Sequence, residues 1–133
     1  MMRVRKSRTG SDRRGTAAIE YALILPVMLL FILGIMDAGR LLWTYTTLYR
    51  ATEAAARCAA INTTDCGTTA QIKNRAVTEA WGLNVSPSAF TVSTLSCGVQ
   101  VHASYDFTFV IPGLGDAVPL GTITLNATAC YPQ

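Results

Sequence analysis

The sequence predicts an α+β protein: a long N-terminal transmembrane helix that continues into a small extracytoplasmic domain, built from a short helix and a three-stranded antiparallel sheet. Three observations predict it. Residues 21–36 (YALILPVMLLFILGIM) carry no charge. Beyond them, apolar residues recur every three or four positions as far as about Ala60. After Cys97 the apolar period changes to two.

Composition agrees with a membrane segment. At 133 residues, the chain is 50% hydrophobic and its mean hydropathy is +0.32, more apolar than one modest soluble core requires. Six of its eleven Lys and Arg residues (Arg3, Arg5, Lys6, Arg8, Arg13, Arg14) precede residue 15, alongside Asp12. From Thr16 onward five basic residues face seven acidic ones, a net charge of −2. That body lacks the basic face needed for electrostatic binding of nucleic acid, so nucleic acid is excluded as a partner.

Residues 1–15 (MMRVRKSRTGSDRRG) have no apolar period and read as an unfolded basic leader. Residues 16–36 supply the 21 helical positions that a bilayer core asks for, with Asp37 closing the run. Pro26 removes one backbone hydrogen bond, which predicts a loosened or kinked turn. A basic tail ahead of an apolar run is held on the cytoplasmic side, so the C-terminal part is placed outside.

Residues 37–60 continue the helix. Leu41, Tyr45, Leu48, Thr52, Ala55 and Ala59 form its predicted inner stripe, while Arg40, Arg50, Glu53 and Arg57 fall mostly off it. The whole helix, from about Thr16 to Ala60, would reach roughly 67 Å. Trp43, Tyr45 and Tyr49 suit either an interfacial aromatic belt or packing against the outer domain.

Residues 61–133 form the small domain. After the loop INTTDCGT, a short helix is signalled by Thr69 as N-cap, by Ile72, Ala76, Val77 and Ala80 on one side, and by Gly82 as a stop. Strands are predicted at FTVSTLS (residues 90–96), VQVHASYDFTFV (99–110) and TITLNATACY (122–131), joined in part by the turn-rich IPGLGDAVPLG.

Cys58, Cys66, Cys97 and Cys130 all fall in the part placed outside, where an even cysteine count reads as disulfides. Four cysteines allow three connectivities. A three-strand meander favours Cys97–Cys130, because the end of its last strand lies beside the turn joining the first two. Cys58 and Cys66 would then clamp the end of the long helix. No Cys-x2-Cys zinc spacing occurs, so no metal or other cofactor is expected.

Glu20 is the exception in the apolar segment. A carboxylate at that depth is costly unless it is paired. Cutting between Gly15 and Thr16 would create an α-amine at Thr16, four residues before Glu20 and on the same helical face. An ammonium and a carboxylate relieve each other's desolvation, within one chain or between neighbours, and Glu20 then acts as an assembly register. Gly15, lacking a side chain, lets the backbone enter a protease cleft at the membrane surface.

A basic leader ending in Gly, with Glu five residues later and an apolar helix retained after cleavage, resembles the class III signal of type IV prepilins. The wider stretch RRGTAAIEYALILPVMLLFILGIMDAGRLL, through TEAAARCAA, is similar to the TadE-like family, the minor pilins or pseudopilins of tight adherence (Flp pilus) systems. The D-x-G-R exit at Asp37, Gly39 and Arg40 strengthens the likeness. The resemblance covers residues 13–60; the cysteine-bearing region is pilin-like only in general layout. It implies cleavage between Gly15 and Thr16 by a prepilin peptidase, and a role in assembling a Tad/Flp pilus for adherence and biofilm formation. The implied partners are that peptidase, other pilin or pseudopilin subunits, the Tad assembly machinery and membrane lipid. The implied location is the bacterial inner membrane, with the N-terminus cytoplasmic, the C-terminal domain periplasmic, and the chain in or at the base of a surface pilus.

A different reading is an unprocessed, single-pass anchor that displays a periplasmic binding module; such an anchor needs neither Gly15 nor Glu20. Catalysis finds no support in the sequence, so no catalytic residue is assigned. His102 stands alone, Asp106 and Asp116 are isolated, and neither a nucleophile motif nor a phosphate loop occurs.

Overall fold

α1 runs from Arg13 to Ile61, 49 residues in one helix that continues across Pro26. The computed structural model describes residues 13–110 and 122–132, with side chains from residue 17 onward. Most of the predicted leader (residues 1–12) and the connection at 111–121 lie outside the described residues. α1 begins three residues before the predicted Thr16, taking Gly15 into its first turn. Arginine is a good helix former, and one glycine costs only about 1 kcal/mol relative to alanine.

The chain divides into two compact units, one ending at Ile35 and the other beginning at Met36. In the first, every side chain from Ala17 to Leu33 is exposed, including Ile19, Leu23, Met28 and Phe31. The most apolar window of the helix has a mean hydropathy of 2.4, and none of it is buried. A helix apolar all round, with no described residue of its own chain to cover it, is suited to lipid. It suggests a membrane anchor.

The second unit uses the rest of α1 as one wall of its core. The buried face comprises Asp37, Thr44, Thr47, Leu48, Ala51, Thr52, Ala55, Ala56 and Ala59. This corrects the predicted stripe, since Tyr45 is 44% exposed and Leu41 only half-buried. The inner face is built mostly from alanine and threonine, small enough to admit the larger Phe90, Val99 and Val101 of the same core cluster. A tyrosine on that line would hold the layers apart. The hydroxyl of fully buried Thr52 donates to the Tyr49 carbonyl at 2.7 Å, so it enters the core satisfied.

α2 (Thr69–Glu79) is capped by Thr68, one residue before the predicted cap. The Thr68 hydroxyl accepts from the Gln71 amide, and the Gln71 side chain accepts from the Thr68 amide, a reciprocal capping box. Ile72, Ala76 and Ala80 are buried and Val77 is half-buried, as the sequence spacing predicts. Gly82 follows with φ +81°, in the left-handed region that glycine enters at little cost. A short 3-10 helix at Pro87–Ala89, capped by Ser86, leads into the sheet and has no counterpart in the sequence reading.

Three strands follow: β1 (Phe90–Leu95), β2 (Gly98–Thr108) and β3 (Thr122–Tyr131). They form an antiparallel sheet in the order β1-β2-β3. Phe90 pairs with Ala103, and Val99 with Tyr131. Val99, Val101, Ala103, Phe107 and Ala127 are buried, so the period of two in the sequence does mark the covered face. The architecture is the predicted α+β arrangement.

Both disulfides lie in this second unit. Cys58 bonds to Cys66, and Cys97, in the two-residue turn between β1 and β2, bonds to Cys130 on β3. The meander accounts for the latter: Cys130 pairs in register with Gln100, three residues past Cys97. The loop closed by Cys58–Cys66 is organised by Asn62, whose Oδ1 accepts from the amides of Thr64 and Asp65 at 3.1 Å each. Its Nδ2 donates to Asp65 at 2.8 Å.

Candidate functional site

Gly15 and Thr16 lie in the first turn of α1, and Glu20 follows one turn later. Thr16 and Glu20, spaced i to i+4, fall on one helical face. The Glu20 side chain is exposed and has no hydrogen-bond or ion-pair partner among the described residues. It stands beside exposed Ile19, Tyr21 and Leu23, so this charge sits on the surface best suited to lipid or to another apolar helix.

A second carboxylate is handled in the opposite way. Asp37, where the uncharged run ends, is only 4% exposed. Its Oδ1 accepts from Nη1 of Arg40 at 2.7 Å, and its Oδ2 accepts from the Val110 amide at 3.0 Å, 73 positions away in sequence. The Arg40 guanidinium also lies 5.2 Å above the centre of the Phe107 ring, and Phe107 meets Phe109 edge-on at 5.2 Å. The Asp-x-Gly-Arg exit is therefore a clip that fastens the segment just past β2 to α1. One carboxylate satisfies a side chain one turn ahead and a backbone donor from the far end of the sheet.

The α1 segment holding Gly15, Glu20, Asp37 and Arg40 is also where the chain resembles known proteins. Residues 15–57 match the TadE-like protein family. No curated protein and no solved structure matches the chain. The TadE-like segment ends one residue before Cys58, so the sheet and all four disulfide cysteines lie beyond it. The matched family is one of Tad-pilus-associated proteins, and the match covers 43 of the 133 residues.

Within the TadE-like segment, sequence reasoning singled out Asp37, Gly39 and Arg40 as a motif without finding its purpose. Its partner Val110 left no mark in the sequence. Gly39 has open space where a Cβ would stand, so the spacing of Asp37 and Arg40 at i and i+3, rather than the glycine, makes the clip. Outside the segment, His102 Nδ1 lies 2.9 Å from the Thr128 hydroxyl across the β2–β3 pair, and Asp106 accepts from the Thr124 hydroxyl at 2.7 Å. Both are cross-strand contacts. Among the described residues, no three His, Cys, Asp or Glu side chains are grouped to hold a metal ion.

Proposed function

We propose that the protein is a minor pilin or pseudopilin of a Tad/Flp pilus. It waits in the bacterial inner membrane with its N-terminus in the cytoplasm and its disulfide-bonded domain in the periplasm. A prepilin peptidase trims it between Gly15 and Thr16, and it then packs by α1 against other pilin-type helices in pilus assembly for adherence and biofilm formation. The observation that carries this reading is the conjunction, inside the TadE-like segment, of Gly15 and Glu20 at the head of a helix whose side chains from Ala17 to Leu33 are all exposed.

The chemistry supports the order of events. A peptide bond inside a helical turn must unwind before a protease can hold it in an extended cleft. Gly15 favours this, since glycine is about 1 kcal/mol less favourable in a helix than alanine. Cleavage frees the Thr16 α-amine one turn before Glu20. In low dielectric an ammonium of the same or a neighbouring subunit is the partner that makes this carboxylate tolerable. Axial displacement of one helix against the next would separate the pair, so Glu20 sets register.

Intact mass and N-terminal sequencing of protein from membranes of a host with its own peptidase test the reading. A chain beginning at Thr16 is expected, and Gly15→Leu is expected to retain the full leader. Glu20→Ala is expected to insert and be trimmed yet to assemble poorly. A wild-type chain that keeps its leader overturns the processing step, and normal piliation by Glu20→Ala overturns the register role.

A further inference from the structure

The chain has two tryptophans, and the fold brings them together within the second unit. Trp43 on α1 and Trp81, just beyond α2, meet edge-on with ring centres 6.2 Å apart and planes at 81°. Gly82 makes the approach possible, because a Cβ there would stand 2.6 Å from Cη2 of Trp43. The pair is nevertheless not core: Trp81 is 71% exposed and Trp43 44%.

The two indoles border a cleft of about 330 Å³ that is lined also by Thr46, Thr47, Arg50 and Glu79. That volume is at the small end of the roughly 300–1,000 Å³ of small-molecule sites. The polar groups of the cleft have hydrogen-bonding capacity to spare. Thr47 is only 8% exposed, and its hydroxyl has no hydrogen-bond partner among the described residues. Among those residues, no side-chain N or O sealed from solvent is left unpaired, so this hydroxyl opens on the cleft. The exposed Arg50 guanidinium likewise pairs with no described residue. Glu79 holds Arg75 through Oε1 at 2.7 Å and keeps Oε2.

These groups select a ligand by its chemistry. A guanidinium only donates, a carboxylate only accepts, and a hydroxyl does both. One positive and one negative side chain line the cleft, which favours a neutral molecule with donors and acceptors around its rim over an anion or a cation. The indoles require the same molecule to have an apolar face. A pyranose ring meets both demands, with hydroxyls at its edge and C–H groups across its face. We propose that the cleft binds a neutral pyranose sugar, which stacks on Trp81 and hydrogen-bonds to Thr47, Arg50 and Glu79. The site lies wholly in the second unit and depends on neither leader processing nor pilus assembly.

Tryptophan fluorescence and calorimetry read the site directly. The full chain, in a detergent without a sugar headgroup, is titrated with glucose, N-acetylglucosamine, maltotriose and chitotriose. Saturable binding with a Kd of about 1 mM or tighter is expected for at least one of them. Trp81→Ala should raise that Kd about tenfold. Thr47→Val, nearly the same shape without the hydroxyl, should raise it about two- to tenfold. Both variants should keep the native circular dichroism. Binding of single sugars and trimers alike supports a site for one free sugar, and binding of trimers alone supports a site for a glycan chain. The absence of a saturable response to all of these sugars overturns the proposal. So does binding that Trp81→Ala leaves unchanged, or a response to dextran sulfate alone, which would make Arg50 a simple anion contact.

Discussion

Replacing Asp37 by alanine removes two connections to other described residues, Arg40 and Val110. The Val110 amide loses its acceptor at 3.0 Å; Val110 is 63% exposed, so water can take the acceptor's place and the loss is that of one net hydrogen bond, about 0.5–1.5 kcal/mol. Arg40 loses its ion pair at 2.7 Å, but its side chain is 48% exposed and water replaces part of the contact, so this adds only about 0.2–1 kcal/mol. Asp37→Ala is therefore expected to destabilise the second unit by about 1–2.5 kcal/mol, against the roughly 5–15 kcal/mol typical of a domain. Asp37→Asn keeps one acceptor oxygen and is expected to fall between the native chain and alanine. Urea unfolding of the full chain in detergent micelles, followed by fluorescence, measures the loss, since both tryptophans belong to the same unit as Asp37. Amide hydrogen exchange localises it: Val110 should exchange faster in the alanine variant, while Val101 in the middle of β2 changes only with global stability. A shift smaller than about 0.5 kcal/mol, the range of ordinary surface substitutions, with Val110 exchange unaltered, would refute the clip.

Three other outcomes follow from the same structure. The Cys97–Cys130 bridge closes a separation of 33 residues and Cys58–Cys66 one of 8, so chain entropy assigns them about 3.7 and 2.5 kcal/mol respectively. The Cys97→Ala/Cys130→Ala double variant should have the lower urea midpoint of the two double variants, and the reverse order would show that loop entropy is not the main term. Gly98→Ala should destabilise more than Gly82→Ala: both adopt positive φ, at +118° and +81°, but a Cβ at Gly98 meets the Tyr131 carbonyl and lies 2.7 Å from the Pro132 Cα, whereas at Gly82 it meets the tip of Trp43. Thermal melts of the pair check the order. Ala55→Leu inserts three carbons at a site with no exposure and should cost about 1–3 kcal/mol by overpacking, while Tyr45→Leu, on the exposed side of α1, should change the melt little.

Local pattern made most of the architecture legible. An uncharged run, a shift in apolar period from about 3.6 to two, and turn residues between the strands are each written within a window of some twenty residues, and backbone geometry turns each into one element. The cysteine partition followed from the same logic, because a meander places the end of β3 beside the β1–β2 turn. The burial of α1 was harder to read. Leu48, Thr52, Ala55 and Ala59 of the predicted stripe are buried, but hydrophobicity also favoured Leu41 and Tyr45, whereas close packing of helix on sheet selects by size and the rest of the inner face went to Thr44, Thr47 and Ala51.

The sequence alone determined that a lipid-suited helix with Glu20 near its head precedes a small α+β domain, since periodicity and charge placement are properties of neighbouring residues. Tertiary structure alone decided that Asp37 is buried as a clip and that Trp81 is brought to Trp43. A carboxylate at a helix exit reads as solvated until the Val110 amide, 73 positions on, is folded against it. An indole after a helix reads as a loop residue until Gly82 turns the chain. Contacts across such separations leave no period in the sequence, because they depend on where whole elements come to rest and not on how each is coded.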